Sequence, residues 1–322
     1  MKILITGVAG FIGYSLAKKL LNKKKTYNIY GCDSLNNYYS LSLKKNRLKE
    51  LTTYKNFKFL KLNLKNNQKT NNFFYQNKFD IVIHFAAQAG VRYSVLNPKS
   101  YLDNNIISFF NVLDLSRKIK VKHFIFASTS SVYGNQLKFP TNENNNTDRP
   151  LSFYAATKKS NEVLAYSYAN IFKLPSTGLR FFTVYGPYGR PDMALFKFTK
   201  NIQKNKSINL FNSGKHDRDF TYIEDVCEYI IKILKKPPNH KIPFEVFNLG
   251  NGKSRKLKDY LFNLEKALGK RSIKKNVKIQ QGDILKTHAD IKKITNKTNY
   301  KPKTKIEEGV KKFVDWYKSY YK

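Results

Sequence analysis

Tyr154 and Lys158 stand four residues apart in Tyr154-Ala155-Ala156-Thr157-Lys158, which puts both side chains on one face of a helix. A phenol ionises near pH ~10 in water and is a poor base at neutrality. A neighbouring ammonium favours the phenolate and brings it towards working range. Isolated pairs of this kind are common on helix surfaces. Here the pair follows a run of hydroxyls, Ser128-Thr129-Ser130-Ser131, at the end of a predicted strand. The carboxyl end of a parallel strand is where a cofactor binds in an open α/β sheet. Proton transfer at a carbinol is the chemistry these residues suit.

The matching cofactor site is predicted at the other end of the same half of the chain. The first strand, 2–6, runs into Gly7-Val8-Ala9-Gly10-Phe11-Ile12-Gly13, a GxxGxxG loop opening a helix. The first glycine permits a tight turn and the second lets backbone approach a pyrophosphate. The third lets the helix pack on the sheet, its N-terminal amides aimed at phosphate. Asp33, at the end of the next strand, is spaced to accept hydrogen bonds from the adenosine ribose. Its charge repels a 2′-phosphate, so NAD is expected rather than NADP.

The elements that must hold these residues follow from the apolar pattern. Short strands at 2–6, 27–32, 57–62, 81–85, 123–128 and 176–181 alternate with helices at 11–22, 99–118 and 152–172. That alternation predicts a parallel sheet covered by helices. The later half is more mixed, with helices at 194–205, 223–235, 257–268 and 305–320 and strands near 208–211 and 244–248. The expected fold is α/β: a Rossmann-type doubly wound parallel sheet over 1–181 and a smaller mixed α/β substrate-binding domain over 182–322. Late segments are free to return to the first domain. The apolar set in 101–115, including Leu102, Ile106, Phe109 and Phe110, wraps more than one helix face. Its second face meets either core or another subunit.

Composition excludes several classes. The two cysteines, Cys32 and Cys227, have no CxxC or histidine-rich context, which argues against a disulfide framework and a metal site. The apolar N-terminal run is too short for a signal peptide, and no stretch approaches a membrane span of ~20 residues. A cytoplasmic protein without a membrane partner is expected. The net charge of +38 invites a polyanion partner. The lysines are spread over nearly every helix and loop, however, so composition bias explains them better and no specific nucleic acid is expected.

The chain resembles an extended short-chain dehydrogenase/reductase, and within that group it is similar to UDP-glucuronate 4-epimerases. The resemblance runs through His84-Phe85-Ala86-Ala87-Gln88-Ala89-Gly90-Val91-Arg92-Tyr93-Ser94 and the stretch from Arg180 to Ala194 that includes Gly189-Arg190-Pro191-Asp192-Met193. It extends to Arg218-Asp219-Phe220-Thr221-Tyr222 and Gly282-Asp283. It implies that Tyr154 is the base, Lys158 its tuner and cofactor-ribose ligand, and Thr129 the hydroxyl completing a proton relay. It places Gly7, Gly10, Phe11, Ile12, Gly13, Asp33, Ala86, Ala87 and Gln88 around NAD, with Asn105 in support and Phe181 by the nicotinamide. Arg190 and Arg218 are implied on the nucleotide-diphosphate side of a UDP-sugar, with Asp283 on its ribose. A homodimer through 99–118 and 152–172 is implied as well. Asn63 departs from the aspartate that such enzymes commonly place near the adenine, which should cost little cofactor affinity. His84 reads as a hydrogen-bonded core residue and Lys197 as a solvated one, while Arg92 either meets substrate or pairs within its loop.

The hydroxyl strip separates related reactions. In the implied chemistry Tyr154 takes the proton of the sugar's 4-hydroxyl while hydride passes to NAD. The ketone then turns over, and hydride returns to its other face. A 4,6-dehydratase needs an acid/base pair after the threonine, and a UDP-glucuronate decarboxylase has Glu at the second position; here those positions are Ser130 and Ser131. Hydroxyls of Thr129, Ser130, Ser131 and Thr183 suit a carboxylate that must be gripped without added negative charge. The whole-chain resemblance implies epimerisation of a UDP-hexuronate. The alternatives are a UDP-glucose or UDP-N-acetylglucosamine 4-epimerase and, in a different class, a noncatalytic NAD-binding sensor.

Overall fold

Strand segments that are apolar and buried on both faces form the centre of the molecule. The computed structural model describes residues 1–23, 27–278 and 284–322. Its strands are β1 (Lys2–Thr6), β2 (Asn28–Asp33), β3 (Phe57–Lys61), β4 (Ile81–His84), β5 (His123–Thr129) and β6 (Ser176–Phe181). They continue with β7 (Thr183–Tyr185), β8 (Ile208–Phe211), β9 (Asp217–Tyr222), β10 (Phe244–Leu249), β11 (Ser254–Lys256) and β12 (Lys274–Val277). Every residue of β4 and β6 is buried, as a sheet covered by helices on both faces requires.

Seven strands pair in the order β3-β2-β1-β4-β5-β6-β10, all parallel. The first six follow the doubly wound order, whose direction of progress reverses between β1 and β4. A three-stranded sheet β11-β9-β7 and a parallel pair β12-β8 make up the smaller part. The expected α/β class with its mixed second sheet is what the chain adopts. Beyond Phe181 the chain re-enters the main sheet at β10, which pairs with β6 from Phe244↔Ser176 to Leu249↔Phe181.

Two helices carry the site. Phe11–Lys23 starts directly after the glycine turn and buries Phe11, Tyr14, Leu16, Ala17 and Leu20 against the sheet. Phe153–Phe172 is capped by Ser152, whose Oγ accepts from Ala155 N at 3.1 Å. That cap fixes Tyr154 in the first turn, one residue inside the helix.

The helix expected over 99–118 is not continuous. A short α-helical turn, Pro98–Tyr101, passes into π-helical Leu102–Ile107 and then α-helical Ser108–Lys118. The wider turn brings Asn105 inward, where its amide is fully engaged; π segments of this kind cluster at functional sites. Among the described residues no helix is long and apolar enough to cross a membrane. No group of three or more metal-ligating side chains occurs among them either.

Candidate active site

A cavity of about 930 Å³ opens beyond the carboxyl ends of the strands, lined by Gly7 after β1 and by Phe85–Gln88 after β4. Gly7 has φ +69°, and a Cβ there would lie 2.7 Å from Ala86 N. A Cβ on Gly13 would lie 2.4 Å from the Gly7 carbonyl. Side chains are thus excluded from a cradle of backbone at a helix N-terminus, the form a pyrophosphate requires. Phe11 and Ile12 line the cavity beside the cradle, with Gly10. Ala on Gly10 would bring its Cβ to 2.9 Å from Gly7 O. Gly10→Ala should weaken NAD retention about tenfold, read as the NAD content of purified protein, with folding preserved.

Asp33 closes the far side. Its carboxylate accepts from Leu35 N at 2.8 Å and Ala9 N at 3.2 Å. Burial raises its pKa, while these amides, Lys44 and Arg47 pull it back down. Arg47 is completely buried and donates to Ala9 O (2.7 Å) and Tyr188 O (2.6 Å), tying the glycine loop to the later half of the chain. Ala86 and Ala87 line the opposite wall. Asn105 stands behind that wall: its Oδ1 accepts from Gln88 N at 2.8 Å, and its Nδ2 donates to Gln88 O and Thr157 Oγ1.

Tyr154 and Lys158 line the same cavity as the cradle. Lys158 Nζ donates to Ala127 O at 3.0 Å, and burial lowers its pKa to about 7. Burial pushes the Tyr154 phenol above its ordinary value, while the Arg190 charge and the Thr129 hydroxyl act to lower it. Thr129 Oγ1 donates to Ser131 Oγ and accepts from Ser131 N, both at 3.2 Å, so Thr129, Ser130 and Ser131 form one tight turn facing the cavity. A phenol, a buried amine and a turn of neutral hydroxyls thus line one cavity with the glycine turn.

The remaining expected residues are spread along the cavity. Phe181 ends β6 and Thr183 opens β7, both on the cavity wall. Arg190 makes a bidentate pair with Asp192, at 3.0 and 2.5 Å, and Asp192 also accepts from Tyr38 at 3.3 Å. Arg92 lies over the Phe211 ring, 4.5 Å from its centroid. Arg218 donates to Asp217 O and Leu285 O at the β9 end. Lys197 and Asn63 line the cavity as well. Asp283 lies outside the described residues. Sequence reasoning did not single out Tyr38, Lys44 or Asp192. Tyr38 and Lys44 lie where no apolar period marks them, and Asp192 takes its place only through its contacts with Arg190 and Tyr38.

A phenol and an amine on one helix, in the same cavity as a dinucleotide cradle, are the arrangement expected of an enzyme that oxidises or reduces an alcohol carbon. Comparison narrows that class. Residues 3–250 match the NAD dependent epimerase/dehydratase family, and the chain belongs to it, with NAD as its cofactor. Protein CapI of Staphylococcus aureus is 47% identical over an alignment 336 positions long, spanning 100% of both chains. The UDP-glucuronic acid 4-epimerase of Bacillus cereus, solved with UDP-glucuronic acid and NAD, superposes with a TM-score of 0.93 at 34% identity. The alignment again covers 100% of each chain. A UDP-glucose 4-epimerase of Thermotoga maritima with UDP-glucose gives a TM-score of 0.89 at 30% identity, also with 100% coverage of both.

Proposed function

We propose that the protein epimerises carbon 4 of a UDP-hexuronate, interconverting UDP-glucuronate and UDP-galacturonate on bound NAD. The observation that carries this reading is the Thr129-Ser130-Ser131 turn beside Tyr154. Among the described cavity-lining residues the only carboxylates are Asp33, on the cofactor side, and Asp192, paired with Arg190. The turn therefore offers no acid to eliminate water from a ketone intermediate and no negative charge to repel a uronate. The B. cereus epimerase, similar over its whole length, was solved with that uronate.

When bound, NAD supplies the hydride acceptor and donor. Tyr154 takes the proton from the 4-hydroxyl and returns it after the ketone has turned over. Lys158, held by Ala127 O, adjusts the phenol, and Thr129 passes the proton towards the sugar. Thr129, Ser130, Ser131 and Thr183 hold the uronate carboxylate. Carbon dioxide leaves a β-keto acid only when the breaking bond stands perpendicular to the ketone plane, so this grip protects against decarboxylation. Arg190 and Arg218 serve the nucleotide diphosphate, and Asp283 its ribose.

Purified protein should convert UDP-glucuronate to UDP-galacturonate without releasing carbon dioxide, and should turn over UDP-glucose at least tenfold less efficiently. A UDP-pentose as the main product sinks the proposal, and a preference for UDP-glucose replaces it with the neutral-sugar reading. Ser131→Glu should raise KM for the uronate about tenfold by like-charge repulsion; an unchanged KM argues against the grip.

The active form is proposed to be a cytoplasmic homodimer. Leu102, Ile107 and Phe110 on one helical segment and Val163, Tyr166 and Ile171 on Phe153–Phe172 are exposed apolar residues that a second copy would cover.

A further inference from the structure

Directly behind the hydroxyl turn lies a buried ion pair for which the proton relay has no use. Glu162 sits one turn beyond Lys158 and two beyond Tyr154, so the three share a stripe of the Phe153–Phe172 helix. Arg180 on β6 grips it with Nε to Oε1 at 2.9 Å and NH2 to Oε2 at 2.8 Å. The two side chains are only 5% and 4% exposed. Ser128 on β5 donates to the same Oε1 at 2.5 Å. Ser128 and Arg180 are register partners on adjacent strands, and the next pair along is Thr129 and Phe181. One carboxylate thus joins two strands and a helix, immediately behind cavity-lining residues on each.

Arg180 reaches further. Its guanidinium stacks on the Tyr133 ring, 4.8 Å from the centroid, and NH1 donates to Glu143 O at 3.1 Å. Tyr133 closes the short helix Ser130–Tyr133 that carries Ser130 and Ser131, and its hydroxyl is tied to Asn248 Oδ1 at 2.6 Å. The pair therefore touches both sides of the gap across which a proton must pass. Burying two charges is costly, and a well-packed apolar pair of similar volume is often as stable. Stability alone is a weak reason for this device; fixed geometry is a better one.

We propose that Glu162, clamped by Arg180 and Ser128, is a positioning residue that sets the gap between Tyr154–Lys158 and the Thr129-Ser130-Ser131 turn. The inference rests on the epimerase reading and deepens it. Misplacing reacting groups by about an ångström can cost around a hundredfold in rate. The effect should therefore fall on the chemical step rather than on binding.

The test uses full-length NAD-loaded protein and whichever UDP-sugar the wild type epimerises. Ser128→Ala, which removes one hydroxyl, should lower kcat about tenfold with KM and NAD content unchanged. Single-turnover reduction of bound NAD should slow by the same factor. The double variant Glu162→Gln/Arg180→Met removes both charges together. It should keep a thermal midpoint within a few degrees of wild type and still lose about thirtyfold in kcat. Folded variants with kcat within twofold of wild type overturn the proposal, as does a loss seen only in KM. If the double variant does not fold, Ser128→Ala decides alone. A wild type inactive on every UDP-sugar removes the epimerase reading itself, a separate outcome.

Discussion

Tyr154→Phe is expected to lower kcat by about a thousandfold or more while leaving NAD content, KM and thermal midpoint close to wild type. The substitution removes one hydroxyl and keeps the ring, so packing against Tyr101, at 6.0 Å between centroids, is retained. A positioned general base or acid is worth about 10²–10⁴ in rate, and Tyr154 would serve as base for oxidation and as acid for the return. Burial alone holds the phenol in its neutral form; Arg190 and Thr129 offset part of that. Burial lowers the pKa of the Lys158 ammonium to about 7. Product formation from UDP-glucuronate and retained NAD, both measured on the same preparation, check the prediction. A variant keeping a tenth of wild-type kcat would move the base elsewhere.

The parts of this site that the sequence made legible are those whose chemistry is local. The glycine turn, Asp33 and the Tyr/Lys spacing depend on a few neighbouring residues, so their types and intervals survive in one dimension. β1 and β4 were equally readable because continuous apolar runs, Ile3-Leu4-Ile5 and Ile81-Val82-Ile83, have few other uses. The helix Leu41–Thr52 was missed. Its buried face includes Lys44 and Arg47, charges that look solvated until Asn36, Ala9, Tyr39 and Tyr188 supply partners. Asn67–Asn77 was missed because it buries only Thr70, Phe73 and Phe74 in an otherwise polar run. The π segment that turns Asn105 inward has no periodic signature. The partners of Glu162 lie on two other elements, and nothing in the order of residues brings them together.

Loss of stability in acid should expose another such hidden contact, at His84. Its Nδ1 lies 2.9 Å from Thr6 Oγ1, while that oxygen also accepts from Ala86 N at 3.1 Å. With one proton and two lone pairs, Thr6 Oγ1 holds the Ala86 amide and pairs with the neutral imidazole in either tautomer. Phe109 and Phe124 flank the ring, at 5.5 and 6.5 Å between centroids. Burial, helped by the nearby Lys158 charge, lowers the pKa of His84 from 6.5 to about 3. Burial likewise lowers His123 to about 4, although its Nε2 contacts Thr177 Oγ1 at 2.8 Å. Below pH 6.5 the unfolded chain binds protons at both sites that the folded chain refuses, so falling pH favours unfolding. Each tenfold in proton affinity is worth about 1.4 kcal/mol. The His84 contribution should shrink by roughly 2 kcal/mol between pH 7.5 and 5, and by roughly 5 kcal/mol when pH has fallen through about 3. His123 should add about 2 kcal/mol over the first interval. Lys158 does not confuse the measurement. Its unfolded form keeps a proton up to about pH 10.5 that the folded form releases near 7, so its effect lies mainly above neutrality. Urea unfolding at pH 7.5 and 5 should show wild type losing about 4 kcal/mol from the two histidines. His84→Gln, although less stable at pH 7.5, should lose about 2 kcal/mol less over the same interval. Equal losses in the two proteins would mean that His84 accepts its proton in the fold, contrary to the apolar enclosure around it.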